Sequence, residues 1–263
     1  MASLVTPAIL LRSIDYGEAD RVVTLLGRVT GRASALARGA RRSQKRFGAG
    51  LGLCAIGEAA LRERQGAELM SLERFDVRVS FASFSTDVAR MAHAAYAAEV
   101  TSKLCAPRQA EPAVYDWLEE FLARLDAGGA TAERLRVFEL GLLRRLGTGP
   151  AIDACLACGR AIRETEETRW DAGRGGTVCM DCGRRGRPMR PMVRAALARL
   201  ASLSLEAADA ERLAPDVNAA CRDAILEIVR TAVPGPLRSL EFIAKLSGGA
   251  MGSGAAGGGE GRS

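Results

Sequence analysis

The stretch RVVTLLGRVTGRASALA, residues 21–37, decides how the N-terminal part of the chain folds. Arg21–Val29 is rich in β-branched residues, which pack well on a pleated surface and favour a strand. Thr30-Gly31-Arg32 is typical of a short turn, and an apolar run resumes at Ala33–Ala37. The stretch therefore predicts a β-hairpin.

Further strand-like segments lie on both sides of this hairpin. Ala8–Arg12 precedes it, and Leu51–Arg64 and Leu69–Val77 follow it, with a turn at Gln65-Gly66-Ala67 between the last two. About five short strands at even spacing over roughly eighty residues are typical of a small barrel of the OB type. Residues 1–80 are therefore predicted to form one N-terminal barrel domain.

Positive charge is concentrated in this part of the chain. The formal net charge is +6, and residues 1–50 account for all of it, with nine basic side chains against three acidic ones. Arg38–Arg46 holds five cations in nine residues, and Phe47 follows directly. OB folds hold single strands with cationic grooves and with rings on which bases stack. A solvated loop and a core position for Phe47 are the alternative, but charge this concentrated favours an anionic partner such as nucleic acid.

Apolar residues recur with a helical period from Ser83 onward. The predicted helices are Ser85–Leu104, a segment from Pro112 to Gly128, a segment capped by Thr131 that ends before Gly147, Met192–Leu203, Asp216–Ala232 and Pro236–Leu246. Residues 81–246 are therefore predicted to form an all-α domain, interrupted by a cysteine-bearing insert at 154–187. The tail at 247–263 holds eight glycines and is predicted to be disordered.

Four of the seven cysteines follow the pattern Cys155-x2-Cys158-x20-Cys179-x2-Cys182. Two CxxC turns bring four sulfurs to one ion, and this set suits a structural Zn²⁺. A redox CxxC needs a thioredoxin-like context, which is missing, and catalytic zinc needs an open position that four thiolates do not leave. Structural zinc is predicted, with an iron–sulfur cluster as the minor alternative. Cys54, Cys105 and Cys221 are interpreted as buried inert thiols.

Signatures of enzymes and of membrane proteins are missing from the sequence. The single histidine, His93, lies in an alanine-rich helical segment and is interpreted as structural, which leaves no base for a Ser-His-Asp or Cys-His site. Neither GxxxxGK[ST] nor GxGxxG follows a predicted strand. No run of 18 uncharged apolar residues occurs. A cytoplasmic protein without catalytic activity, membrane contact or small-molecule substrate is expected.

Several segments resemble, in the same order, the sequences of the bacterial RecO family. They are Ala8–Arg12, Asp15–Arg21, Thr24–Leu26, Gly31-Arg32, Ala37–Arg42 and Leu237–Phe242. The four-cysteine insert, with Gly175-Gly176 ahead of Cys179, resembles the zinc-bearing members of that family. The resemblance spans about residues 1–246. Ser43–Phe47 departs from the more regular lysine–serine–arginine stretch of the family but keeps its cationic character.

The resemblance implies an OB fold, a helical domain and a zinc module. It also implies a mediator of DNA recombination that binds single- and double-stranded DNA, anneals complementary strands and associates with the nucleoid. Its implied partners are the C-terminal tail of single-stranded DNA-binding protein and RecR, with which it helps to load RecA.

Together these observations predict an α+β protein with an N-terminal OB-type barrel, an all-α domain and an inserted four-cysteine zinc module. The residues predicted to bind DNA phosphates are Arg38, Arg41, Arg42, Lys45 and Arg46, aided by Arg12 and Arg32. The main rival function is a zinc-ribbon transcription or assembly factor whose basic loop binds RNA or ribosomal surfaces. A zinc-dependent hydrolase is a weaker rival.

Overall fold

The N-terminal strands bury alternate residues, because successive side chains of a strand point to opposite faces. The computed structural model describes residues 3–47, 51–63, 66, 68–233, 235–241 and 243. Its first elements are β1 (Ser3–Tyr16), β2 (Asp20–Gly27), β3 (Gly31–Ala37), the short helix α1 (Gln44–Phe47), β4 (Ile56–Arg62) and β5 (Met70–Val79). In β3 every second residue is buried, and the inward-facing ones after Gly31 are alanines.

The five strands close into a barrel in the order β1-β2-β3-β5-β4. β1 is long enough to pair with β2 and with β4, both antiparallel, and a parallel pairing of Ala35 with Met70 joins β3 to β5. Phe47 and Phe75, each 1% exposed, help to fill the interior. A five-stranded barrel of this kind is of the OB type, so the predicted fold class is confirmed for this part.

The predicted strand Leu51–Arg64 is longer than the strand that forms. β4 begins only at Ile56, because residues 51–55 turn sharply and Cys54 takes the left-handed conformation with φ 62°. Most of the turn predicted at 65–67 lies outside the described residues.

The first predicted helix is divided in two. α2 (Ser83–Thr86) and α3 (Val88–Leu104) are separated by Asp87, whose backbone is extended. The Asp87 carboxylate accepts hydrogen bonds from the N–H groups of Ala89 and Arg90. An aspartate in this position satisfies the free N–H groups at a helix start, so the sequence contains a capping signal where one continuous helix was predicted.

The remaining helices are α4 (Pro112–Gly128), α5 (Ala132–Arg145), α6 (Pro191–Ser202), a 3₁₀ turn at Ala207–Asp209 and α7 (Pro215–Ala232). The Thr131 side chain accepts the Arg134 N–H and caps α5 as predicted. α5 is buried on nearly every side and packs against α3, α4, α6 and α7. Residues 238–241 and 243 are helical; the rest of the helix predicted to end at Leu246, and the tail 247–263, lie outside the described residues.

The cysteine-bearing insert leaves the helical domain after α5 and returns at α6. It contains β6 (Thr168–Asp171), β7 (Gly176–Cys179) and β8 (Arg187–Met189), in the spatial order β7-β6-β8. Trp170 is 1% exposed, and its Nε1 donates to the Ala224 carbonyl on α7 at 3.2 Å. Since α5 packs against α6 and α7, the insert is an excursion from one helical domain and is seated on it by Trp170.

The barrel and the helices have one apolar core in common. Ile9, Leu26 and Ile56 on the outer face of the barrel belong to the same buried cluster as the helical side chains. Gly31 touches the backbone of Gln109 so closely that a Cβ would lie 1.8 Å from the Gln109 oxygen. With φ 68° as well, the position requires glycine.

Candidate nucleic-acid interface and metal centre

Four cysteine sulfurs meet in the insert. The Sγ atoms of Cys155, Cys158, Cys179 and Cys182 all lie within 4.8 Å of one another. Four sulfurs around a tetrahedral ion, at metal–sulfur distances of about 2.3 Å, stand about 3.8 Å apart. The donor set and its spacing fit a single thiophilic ion, so this cluster can hold a metal.

Backbone hydrogen bonds prepare the two CxxC turns for a metal. The N–H of Gly159 donates to the Cys155 carbonyl at 2.8 Å, and the N–H of Gly183 donates to the Cys179 carbonyl at 2.9 Å. The N–H groups of Ala157 and Cys179 each lie 3.4 Å from Cys155 Sγ. Burial raises the pKa of the Cys155 thiol, but the surrounding N–H donors outweigh burial and bring that pKa to about 6. At Cys155 the thiolate, the form that binds metals, is therefore favoured.

The basic loop 38–46 rests on the turn between β1 and β2. The N–H of Gly39 donates to Asp20 Oδ1 at 2.7 Å, and the N–H of Arg41 donates to the Ala19 carbonyl at 3.0 Å. Gly39 has φ 64°, a conformation that glycine adopts without strain. Arg46 Nη2 donates to the Arg38 carbonyl at 2.6 Å and closes the loop. The loop is therefore fixed to one end of the barrel.

This loop keeps most of its positive charge, whereas two arginines on the neighbouring strands β4 and β5 are neutralised. Arg62 pairs with Glu73 at 2.8 Å, and Arg74 pairs with Asp76 at 2.7 Å. Arg38, Arg42 and Arg46 are exposed and form no ion pair with any described residue. The positive potential of the barrel is therefore greatest at the end that carries the loop.

Arg41 is partly neutralised within the same end of the barrel. Its Nε lies 3.8 Å from Asp15 Oδ2, and Arg21 Nε donates to the other oxygen of Asp15 at 3.0 Å. Two arginines thus face one carboxylate. The backbone of Lys45 lies in α1 beside them, and its side chain is outside the described part of the chain.

Arg12 and Arg32 lie apart from the loop. Arg12 is exposed on β1, in a surface groove of about 530 Å³ that it forms with Ile14 and Leu53. Arg32 points to the helical domain, where its Nε donates to the Cys105 carbonyl at 2.9 Å. Of the seven residues predicted to bind phosphates, Arg38, Arg41, Arg42 and Arg46 lie together in the loop, as does the backbone of Lys45. Arg32 instead forms a contact between the barrel and the helical domain.

The two aromatic residues near the basic loop, Phe47 and Tyr16, differ in their exposure to solvent. Phe47 is 1% exposed inside the barrel, so the core position is correct and a base cannot stack on its ring. Tyr16, at the end of β1 beside the basic loop, is 60% exposed. No pattern in the sequence marks Tyr16 as exposed, because its exposure depends on the local geometry of β1.

Two family models cover the described architecture. The model described as "Recombination protein O N terminal" matches residues 1–81, and the model described as "Recombination protein O C terminal" matches residues 85–241. The chain belongs to the RecO family. The family resemblance seen in the sequence is thereby confirmed.

Similar proteins cover most of this chain and most of their own length. A protein named DNA repair protein RecO in Anaeromyxobacter sp. (strain Fw109-5) is 42% identical over 89% of this chain and 93% of its own. Proteins of the same name in Anaeromyxobacter dehalogenans (strain 2CP-C) and Myxococcus xanthus (strain DK1622) are 39% and 34% identical. They cover 89% and 91% of this chain, and 93% and 96% of their own lengths.

The other sequence predictions concern isolated thiols, the histidine and the membrane. Cys54, Cys105 and Cys221 are buried, and burial raises the pKa of Cys54 to about 12, so the prediction of buried thiols is confirmed. Burial first, and then the charge of Arg136, lower the pKa of His93 to about 4. Among the helices in the described part of the chain, none is both long enough and apolar enough to cross a membrane.

Proposed function

We propose that this chain is a DNA repair protein that mediates recombination by binding single- and double-stranded DNA and annealing complementary strands. The observation that carries the proposal is a cationic loop on an OB-type barrel, in a chain of the RecO family; Arg38, Arg42 and Arg46 of this loop form no ion pair with a described residue. OB folds with such loops bind nucleic acid backbones. The names of the relatives, DNA repair protein RecO, agree with it.

In the proposed mechanism the barrel neutralises phosphates and performs no bond chemistry. Arg38, Arg41, Arg42, Lys45 and Arg46 contact the backbone at the loop, and Arg12 extends the contact along β1. Two strands that repel each other in solution can then approach and pair, because each neutralised phosphate releases condensed counterions. Arg32 binds no phosphate in this mechanism, since its guanidinium holds the barrel to the helices. The protein is accordingly proposed not to be an enzyme.

The four cysteines are proposed to hold a structural Zn²⁺. Four thiolates complete a tetrahedral shell and leave no position for substrate or water. Apart from the cysteines, the insert buries little apolar surface of its own around them, namely Ile162 and Val178 with Leu156 beside them. When bound, zinc supplies a cross-link between the two CxxC turns. The basic side chains Arg160 and Arg163 are then parts of a stabilised insert and not catalytic groups.

The proposal also names the protein partners and assigns DNA binding and protein binding to different parts of the chain. Residues 1–80 bind DNA, and residues 81–246, with the metal-binding insert at 154–187, are assigned the protein contacts. Those partners are RecR and the C-terminal tail of single-stranded DNA-binding protein, and the result is the loading of RecA on coated DNA at the nucleoid. Family membership supports these assignments.

Strand annealing tests the proposed function. Two complementary oligonucleotides, one labelled with a donor and one with an acceptor fluorophore, are coated with single-stranded DNA-binding protein and mixed with the chain. We expect the chain to accelerate the rise of energy transfer, and the variant Arg41→Ala, Arg42→Ala, Arg46→Ala to do so less.

The rival zinc-ribbon factor that binds RNA has no reason to anneal coated DNA. Equal rates with and without the chain, together with tight binding to structured RNA, would replace the proposed function by that rival. A pull-down with immobilised single-stranded DNA-binding protein, with and without its C-terminal tail, tests the partner.

A further inference from the structure

A β-bulge turns one side of β1 outward at the end of the barrel. Ala8 and Leu10 face the barrel core, and the pairing of β1 with β2 shifts register between Leu10 and Arg12. A bulge adds one residue and exchanges the faces beyond it. Arg12, Ile14 and Tyr16, which strict alternation would place on the same face as Ala8 and Leu10, therefore point away from the core and form one row.

This row is exposed, and Arg12 and Ile14 line an open groove that ends before Tyr16. Ile14 is 42% exposed and Tyr16 is 60% exposed, and Leu53 across the groove is 44% exposed. β4 pairs with β1 only as far as Ile9, so among the described strands this part of β1 has a neighbour only on the β2 side. The groove is therefore open along the strand.

Tyr16 is unlike the other aromatic residues in the described part of the chain. Those others are buried, except Phe81, which is half-buried. A single exposed apolar residue is ordinary on a protein surface. Here, however, the ring combines a flat apolar face with a position at the end of the barrel that keeps its positive charge.

The basic loop lies directly against the turn that follows Tyr16. Arg41 Nη1 donates to the Glu18 carbonyl at 3.2 Å, and the Arg41 N–H donates to the Ala19 carbonyl. The ring is therefore two to three residues from the backbone that supports these cations. Cations for phosphates and an adjacent ring for bases are the two elements with which proteins hold single strands.

We propose that Tyr16 is a stacking platform for a base of single-stranded DNA, with Ile14 and Leu53 contacting the neighbouring base in the groove. The inference deepens the proposed function, on which it rests, by stating how bases are engaged while the loop arginines hold phosphates. In duplex DNA the bases are already stacked and paired, so they are not available to the ring. Tyr16 should therefore contribute to binding of single strands and not of duplexes.

The test compares Tyr16→Ala with Tyr16→Phe in the full chain on three labelled ligands. The ligands are an oligo-dT, an oligonucleotide of the same length made of abasic sites, and a duplex. Tyr16→Ala should bind oligo-dT about 5- to 150-fold more weakly, the range expected for loss of one stacked base. Binding to the abasic strand and the duplex should not change, and Tyr16→Phe should behave as the parent. Val5→Ala, which removes an exposed apolar side chain from β1 far from the loop, is the matched control.

A direct readout is photocrosslinking to oligonucleotides that carry 5-iododeoxyuridine, followed by mass spectrometry, which should identify Tyr16. The inference is overturned if Tyr16→Ala binds oligo-dT as the parent does, or if it loses affinity equally for the abasic strand and the duplex. Failure of the proposed function gives a different result, because the parent chain would then bind none of the three DNA ligands.

Discussion

Arg38 and Arg42 provide a test of the electrostatic part of DNA binding. Both side chains are exposed, and neither guanidinium forms a hydrogen bond or ion pair with a described residue. Replacing both by alanine therefore removes two charges without removing an internal contact. Substitutions of this kind change the free energy of unfolding by less than about 0.5 kcal/mol.

The expected loss of DNA affinity can be calculated from counterion release. Each phosphate contact contributes about 0.7 to the slope of log affinity against log salt concentration on single strands. If both arginines contact phosphates, the slope of Arg38→Ala, Arg42→Ala should be smaller by about 1.4. The variant should then bind about 25-fold more weakly at roughly 0.1 M salt and about as tightly as the parent near 1 M.

Fluorescence anisotropy with a labelled oligo-dT at a series of salt concentrations measures both slopes. The matched control is Arg184→Ala, Arg185→Ala, an adjacent and exposed pair beside the cysteine cluster whose guanidiniums also lack a described partner. Parallel lines for the parent and for Arg38→Ala, Arg42→Ala would refute the assignment of phosphates to the loop. An equal loss of affinity and of salt slope in Arg184→Ala, Arg185→Ala would indicate that DNA contacts the insert as well.

Three further predictions concern the metal, the domain contact and pH. Chelation should release one metal ion per chain and change the fluorescence of Trp170, while most far-ultraviolet ellipticity and the affinity for oligo-dT persist; cooperative loss of all helical signal would contradict local unfolding. Arg32→Ala should lower the free energy of unfolding by about 1–2 kcal/mol, because the Cys105 carbonyl loses its donor. Its salt slope should equal that of the parent, and a smaller slope would mean that Arg32 contacts DNA. Burial and the charge of Arg136 lower the pKa of His93 from 6.5 to about 4, so the unfolded chain binds its proton more readily than the folded one between these values. From pH 7 to pH 4.5 the free energy of unfolding should therefore fall by about 2 kcal/mol, and His93→Gln should remove that part of the fall in denaturant titrations.

Patterns of residues close in the sequence were sufficient to predict most helices and strands. The hairpin within 21–37, the cap at Thr131 and the two CxxC turns each depend on residues close in the sequence. The cap and the CxxC turns form where they were predicted, and the hairpin forms with its turn at 28–30, two residues earlier than the predicted turn at 30–32. The positive charge could also be located without a structure, since the five cations of the loop lie within nine residues of the sequence. These features need no information about distant parts of the chain.

Features that depend on register and tertiary contact could not be predicted. Arg32 has the composition of a phosphate ligand, but its position on β3 directs it to the Cys105 carbonyl, 73 residues away in the sequence. Strict alternation along β1 would place Tyr16 on the face of Ala8 and Leu10, and the bulge after Leu10 places it on the opposite face. A bulge leaves little trace in a single sequence, because one inserted residue changes orientation without changing composition.

The common core of barrel and helices limits how the molecule can be divided. A fragment that ended near residue 80 would expose Ile9, Leu26 and Ile56, which are no more than 4% exposed in the whole chain. It would also lose Gln109, against which Gly31 is fitted without space for a side chain. The barrel is thus not an independently folding domain. Grafting it onto another protein would require a substitute for the surface of α3 and α4, and the barrel and the helices should melt together as one cooperative unit in calorimetry.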